Sequence, residues 1–234
     1  MINQVVILAA GDGRRMLPLT EKTPKLLLKV AGKPLVDYIL EGVKELGITD
    51  VVFVIGYLKD QIIAYLSDYH GLNIHFAEQN KKLGTAHAVG LSEPYITGDF
   101  LVLNGDVLFE KKAIGKLISE HKNHELNIVS EEVEDARPYG VLFLKDGKIV
   151  DLIEKPENPP TNLINAGFYV FPKQIFGAIK ETTLSERGEY EITDSIRILI
   201  KKGITARPIP YIGKRIELTR PTDINRATKW IESN

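Results

Sequence analysis

The chain contains no cysteine among its 234 residues. Disulfides, thiolate catalysis and Cys-ligated zinc are therefore excluded. It has almost no excess of charge of either sign, with a formal net charge of −1. No global field is present to recruit nucleic acid or an anionic membrane. No apolar run approaches the length of a membrane span. The first residues, Met1 to Gly11, lack the basic region and small-residue cleavage site of a leader and read as a first strand. Internal and hexapeptide repeats are missing too. The five histidines show no metal-binding spacing. His121 and His124, three apart, are expected on a solvent-exposed helix face. No G-x-S-x-G or Ser-His-Asp pattern occurs. A cytoplasmic protein fits these absences.

What is present is ordinary globular material, 44% hydrophobic and 26% charged, enough for one sizeable domain spanning 1–234. From Met1 to Asp106 buried-type strands alternate with helical periods. Val5–Ala10, Val51–Ile55, Asn73–Ala77 and Phe100–Leu103 read as strands. Leu35, Ile39, Val43 and Leu46 recur at helical spacing, and Gly47 is a natural stop. This alternation predicts an α/β fold with a Rossmann-like mixed, mostly parallel sheet and helices on both faces. The second half predicts strands at 127–133 and 139–144, and a hairpin turn at Asp146-Gly147. Further strands are expected at 163–171 and 205–211, with helices at 173–180, 192–202 and from Pro221.

One stretch concentrates the chemistry. The first strand breaks into Gly11-Asp12-Gly13, followed by Arg14-Arg15, Pro18 and Pro24-Lys25. A glycine turn at a strand's carboxyl end leaves backbone N–H groups free to bind an anion, usually phosphate. Arg15 and Lys25 add full positive charges. Alone, such a turn is commonplace. It lacks the third glycine of a dinucleotide fingerprint, where Met16 stands, and the spacing of a P-loop.

Gly11-x-Gly13-x-Arg15-Met16-x-Pro18-Leu19-Thr20, with Pro24-Lys25 and Lys33-Pro34 behind, resembles the signature of sugar-1-phosphate nucleotidylyltransferases. That family usually carries Thr and Leu where this chain has Arg14 and Met16. The resemblance implies that the loop, with Ala10, holds the triphosphate of a nucleoside triphosphate. It makes Asp106 a ligand of a catalytic Mg²⁺. Aligned back from Pro221 and Asp223, Glu217 falls on the family's second metal carboxylate, with Arg215 and Thr219 on its Trp and Gly. On its own Glu217 would be read as a surface strand residue.

Gln79, Gly84 and Thr85 resemble the segment that reads the nucleobase, and His87 is similar to the family's uridylyltransferases. A Gln amide offers both a donor and an acceptor to a pyrimidine edge. Gly140, Glu154, Asn165 and Gly167 match sugar-contacting positions, and Lys155 matches a contact to the sugar phosphate. The catalytic candidates are Arg15, Lys25 and Lys155. The segment Tyr190 to Asp194 also resembles a family segment, but reads mainly as a helix start.

The implied reaction joins UTP or dTTP to glucose or N-acetylglucosamine 1-phosphate, with Mg²⁺ as cofactor. The small molecules are the expected partners. A homo-oligomer is compatible with the sequence. Two other functions stay open at this point: a cytidylyltransferase of a non-sugar alcohol phosphate, and an inactive nucleotide-sugar-binding regulatory subunit.

Overall fold

A computed structural model places residues 2–233; Met1 and Asn234, the outermost positions of the single-domain reading, lie outside the described residues. The first half builds β1 (Gln4–Ala9), the short hairpin β2 (Lys29–Val30) and β3 (Lys33–Pro34), α1 (Leu35–Glu45), β4 (Asp50–Ile55) and α2 (Lys59–Leu66). Then come β5 (Asn73–Glu78), α3 (Thr85–Gly90), β6 (Phe100–Asn104), β7 (Val107–Phe109) and α4 (Lys111–Ser119). The second half adds β8 (Leu126–Glu132), β9 (Gly140–Lys145), β10 (Lys148–Glu154), β11 (Leu163–Phe171), α5 (Ile175–Glu181) and α6 (Ile192–Lys201). It ends with β12 (Ala206–Pro210), β13 (Arg215–Glu217) and α7 (Pro221–Glu232).

Nine strands form one sheet in the order β5-β4-β1-β6-β11-β8-β12-β10-β9. The first four run parallel. β11 is antiparallel to β6 and β8, β12 is parallel to β8, and β10 is antiparallel to β12 and β9. Only β10 and β11 thus oppose the common direction; the sheet is mixed as expected, but beyond β6 its pairings are antiparallel except for β8 with β12, so by pairing it is not mostly parallel.

Alternate strand side chains feed two cores, because successive residues face opposite sides of a sheet. Val5, Ile7, Val51, Phe53 and Ile55 pack on one face with Leu35 and Ile39 of α1, Ile62 of α2, Ile114 of α4 and Ala227 of α7. Val6, Val52 and Val54 pack on the other with Ala86 of α3, Phe176 of α5 and Ile196 of α6. Helices cover both faces as the periodicity implied. At Asp146-Gly147 both residues take positive φ, 52° and 72°, and Lys145 pairs with Lys148.

One feature was not foreseen and one expectation changes. β7 and β13 form a separate two-stranded ladder outside the main sheet, too short to leave a periodic signature. His121 and His124 follow α4 rather than lying on it. Only His124 is exposed; the His121 side chain is 4% exposed and lies 3.0 Å from Asp99 Oδ2. Asp99 is its partly buried polar partner, which a spacing argument does not see.

β1 is flanked by β4, the next strand of the winding, on one side and by β6 on the other. Chain connections therefore diverge at the carboxyl ends of β1 and β6, where a crevice opens in doubly wound sheets. The Gly11 loop leaves β1 there, and Gly105-Asp106 leaves β6. Gly105 N–H donates to Leu8 C=O at 2.9 Å and ties the two exits together.

Candidate active site

The loop after β1 is held by its own backbone. Gly13 takes a left-handed conformation, φ 61°, and starts a 3₁₀ turn over Arg14–Met16. A Cβ on Gly13 would lie 2.8 Å from Thr20 Cγ2. The Thr20 hydroxyl instead donates to Gly13 C=O at 2.8 Å. Met16 is fully buried in the core and anchors the loop from below. A Cβ on Gly11, by contrast, would meet nothing within 4 Å. The space beside that backbone is open to a ligand.

Every predicted nucleotide and metal residue, with Arg15 and Lys25, lines one cavity of about 470 Å³ at this loop. Lys25 Nζ donates to Asp106 Oδ2 at 2.7 Å, the lysine side chain being only 15% exposed. Glu217 pairs with Val107 across the β7–β13 ladder, and Leu218 N–H donates to Asp106 C=O at 2.9 Å. The ladder thus sets Glu217 beside Asp106. Burial first, and then the negative charge of Asp106, push the Glu217 carboxyl above its ordinary value. The residue is a strand residue, as one reading of the sequence had it, but it faces a cavity rather than open surface.

Among the described residues no group of three or more His, Asp or Glu side chains is arranged to hold a metal. A cation here would find two carboxylates and take its remaining oxygens from water and substrate. That donor set suits Mg²⁺, which keeps waters and binds phosphates alongside one or two carboxylates. The Lys25 ammonium already places positive charge against Asp106, so the residues present fit such an ion.

Gln79 follows β5 and is buried. Its Nε2 donates to Gly84 C=O at 3.2 Å and lies 3.0 Å from His87 Nδ1. Burial pushes the His87 pKa down, which favours the neutral ring that can accept that N–H. The Thr85 hydroxyl accepts from Ile192 N–H at 2.9 Å, so it ties α3 to the start of α6.

The sugar candidates and Lys155 are not among the residues lining this cavity; they form an adjoining cluster. Gly140 pairs with Glu154 across β9 and β10. Lys155 Nζ lies 3.3 Å from Glu154 Oε1. Asn165 donates to the Tyr169 hydroxyl at 2.7 Å and accepts from Gly167 N–H at 3.0 Å, so part of its polar capacity is already used within the fold. A Cβ on Gly167 would lie 2.5 Å from Asn104 Nδ2. Its absence lets Asn104, on the cavity wall, abut the sugar cluster.

Sequence reasoning missed several groups. Arg187 Nη1 lies 3.6 Å from Glu154 Oε1 and 3.4 Å from Glu191 Oε1. Glu191 is buried, and burial and then the Glu154 charge raise its pKa. The signal lay next to the Tyr190–Asp194 segment, in Arg187-Gly188-Glu189. Glu189 reaches the cavity because its loop is pinned by Ala86 N–H to Tyr190 C=O, 2.9 Å, and Tyr190 N–H to Leu83 C=O, 2.8 Å. Lys82 and Asp12 also line the cavity and pair at 2.6 Å. Arg14 is an exposed partner of Asp12 at 2.9 Å.

A family model described as nucleotidyl transferase matches residues 4–213. The chain is 39% identical over 227 residues to the bifunctional protein GlmU of Methanocaldococcus jannaschii, covering 97% of this chain and 53% of that one. It is 38% identical over 235 residues to the UTP–glucose-1-phosphate uridylyltransferase AglF of Haloferax volcanii, covering 98% and 96%. It therefore spans about half the length of the GlmU relative and nearly all of AglF. Among solved structures, a UDP-glucose pyrophosphorylase complexed with UDP-glucose superposes with a TM-score of 0.83 at 27% identity, covering 100% of this chain and 99% of that one.

Proposed function

The chain is a nucleotidyltransferase, a member of the nucleotidyl transferase family, and from that premise we propose that it joins UTP or dTTP to glucose or N-acetylglucosamine 1-phosphate. One observation carries the reading: the Gly11–Gly13 loop, the Lys25–Asp106 pair and the Gln79 amide all line a single cavity. The names of the relatives support it, since AglF is a UTP–glucose-1-phosphate uridylyltransferase.

An oxygen of the sugar phosphate attacks the α-phosphorus of the triphosphate. A new P–O bond forms, the α–β bridging bond breaks, and pyrophosphate leaves with that electron pair. The attacking oxygen is already anionic, so no protein nucleophile or base is needed. The enzyme's task is alignment and charge neutralisation. The N–H groups of the Gly11–Gly13 loop and Arg15 receive the triphosphate, and Lys155 steadies the sugar phosphate. Asp106 and Glu217 would hold Mg²⁺, which when bound supplies charge that lessens repulsion between the two phosphates. The position of Glu217 beside Asp106 supports retained catalysis over an inactive regulatory subunit.

Gln79 commits its Nε2 to Gly84 and His87. Its carbonyl oxygen is then the atom suited to accept a ligand N–H. Uracil and thymine present such an N–H between two carbonyls. Guanine would need a partner for its exocyclic amine. Gly140, Glu154, Asn165 and Gly167 are the groups for sugar hydroxyls.

A pyrophosphate-release screen of nucleoside triphosphates against sugar 1-phosphates tests the reading. UTP or dTTP with a gluco-configured sugar is the expected best pair. GTP with mannose 1-phosphate leading tenfold in kcat/KM, about 1.4 kcal/mol, would overturn the substrate assignment. No release from any pair would overturn the activity.

A further inference from the structure

The cavity holds a charge that the reaction does not explain. Asp106 and Glu217 have a cation to bind. Asp12 does not, yet it sits in the loop that must accept a highly anionic triphosphate. It is neutralised twice, by Lys82 at 2.6 Å and by Arg14 at 2.9 Å. These interactions, Lys82 foremost, hold its carboxyl below the ordinary aspartate value.

The two cations differ in origin. Arg14 belongs to the same loop as Asp12, two residues on. Lys82 comes from the segment between Gln79 and Gly84, so its pair with Asp12 links the base-reading segment to the phosphate loop. Lys82 lines the cavity, and its side chain is half exposed. A polyphosphate outcompetes one carboxylate for an ammonium, and lysine binds phosphate as a mobile point charge. If Lys82 leaves, Arg14 still neutralises Asp12.

We propose that Lys82 is a triphosphate-binding residue, stored on Asp12 in the free protein and transferred to the nucleotide's phosphates on binding, with Arg14 retaining Asp12. Arg14 thereby gains a function: it prevents Asp12 from being left as a bare negative charge beside the substrate. The inference rests on the reading of the cavity as a nucleoside triphosphate site.

Calorimetric titration with inorganic tripolyphosphate and with UTP separates the two. Arg15→Ala should weaken both ligands; if wild type binds neither, or Arg15→Ala changes neither, the nucleotide reading itself fails. Lys82→Ala should weaken both about tenfold and flatten their salt dependence, since an exposed charge contact is screened by salt. Lys82→Arg should restore most of the affinity. Asp12→Asn, which releases Lys82, should tighten tripolyphosphate binding severalfold, and that gain should vanish in Asp12→Asn/Lys82→Ala. If Arg15→Ala weakens binding while Lys82→Ala does not, Lys82 is not a phosphate ligand. If Asp12→Asn tightens binding equally with and without Lys82, Asp12 acts only by repulsion and the storage role is overturned.

Discussion

Lys25 and Asp106 neutralise each other at 2.7 Å, and neither fully serves a phosphate or a metal while the other holds it. Removing one partner exposes what the other does. Asp106→Asn should abolish Mg²⁺-dependent turnover and leave the thermal transition near its original place. The freed Lys25 should at the same time bind tripolyphosphate at least as well without Mg²⁺ as before. Turnover that survives Asp106→Asn would remove it from the metal site. Lys25→Ala and Arg15→Ala should each lower turnover by roughly 10²-fold, the scale for one preorganised charge-stabilising group. His87 gives the site an acid limit. Its folded pKa lies below the ordinary value of 6.5 because the ring is partly buried. Between the folded value and 6.5 the unfolded chain binds the proton and the folded chain does not. The stabilising contribution is therefore present above 6.5 and lost as pH falls below it. Protonated Nδ1 also cannot accept the Gln79 amide proton. UTP affinity should weaken on that acid side while tripolyphosphate affinity, which does not use Gln79, should not share the loss; parallel loss of both would release His87 from the base site.

Short elements do the positioning, and they are where sequence and structure part. The long strands and helices were legible because burial imposes a period: Val51 to Ile55 could only be a buried strand, and α1 shows its apolar stripe plainly. The gathering of Gly11, Gly13 and Lys25 at one cavity was foreshadowed by their residue types, since a phosphate site would restrict the choice to glycine and a cation. β7 and β13 were not. Three residues carry no period, and Glu217 and Val107 pair across a wide separation in sequence. Lys82 was missed for a related reason, since its partner Asp12 is distant in sequence, and so was the link of Arg187 to Glu154, although Glu191 lies only four residues from Arg187. The cap of α7 shows how such a short element is fixed. Asp223 Oδ2 accepts from Thr219 N–H at 2.8 Å and Arg220 N–H at 2.7 Å, just beyond Glu217. Asp223→Ala should cost about 1 kcal/mol, the usual worth of a cap, and should also weaken Mg²⁺ dependence by loosening Glu217. A stability loss with unaltered metal dependence would confine Asp223 to the helix. In the phosphate loop, Gly13→Ala combines a left-handed backbone with a Cβ only 2.8 Å from Thr20 Cγ2. A loss of about 1–3 kcal/mol is expected from such strain. Adding Thr20→Ser removes the clashing methyl but keeps the hydroxyl, so it should recover the steric part alone; full or no recovery in denaturant midpoints would contradict this division.

At the scale of the molecule, both cores draw on both halves of the chain. The core on the α1 face joins Val5 and Phe53 to Phe168 and Ile209, and the core on the α6 face joins Val6 and Val52 to Phe171 and Leu199. One sheet runs through all of it, so neither half can bury its apolar surface alone. We expect the described residues to unfold as one cooperative unit, with the candidate site at the carboxyl ends of the central strands. The cavity is bounded by segments from both halves, from Leu8 to Thr219. A ligand that binds there should therefore stabilise the whole unit, by RT ln(1 + [L]/Kd), or about 2.7 kcal/mol at a hundred times Kd. For a domain of this size that is a rise of roughly 5–10 °C in Tm. Scanning calorimetry should show one transition that UTP with Mg²⁺ moves upward as a whole and GTP moves far less. Gln79→Ala should erase the difference between the two nucleotides without abolishing the shift that their shared triphosphate produces. Two separable transitions, with UTP moving only one, would show that the halves fold independently. Equal shifts from UTP and GTP in the wild-type chain would show that Gln79 does not read the base.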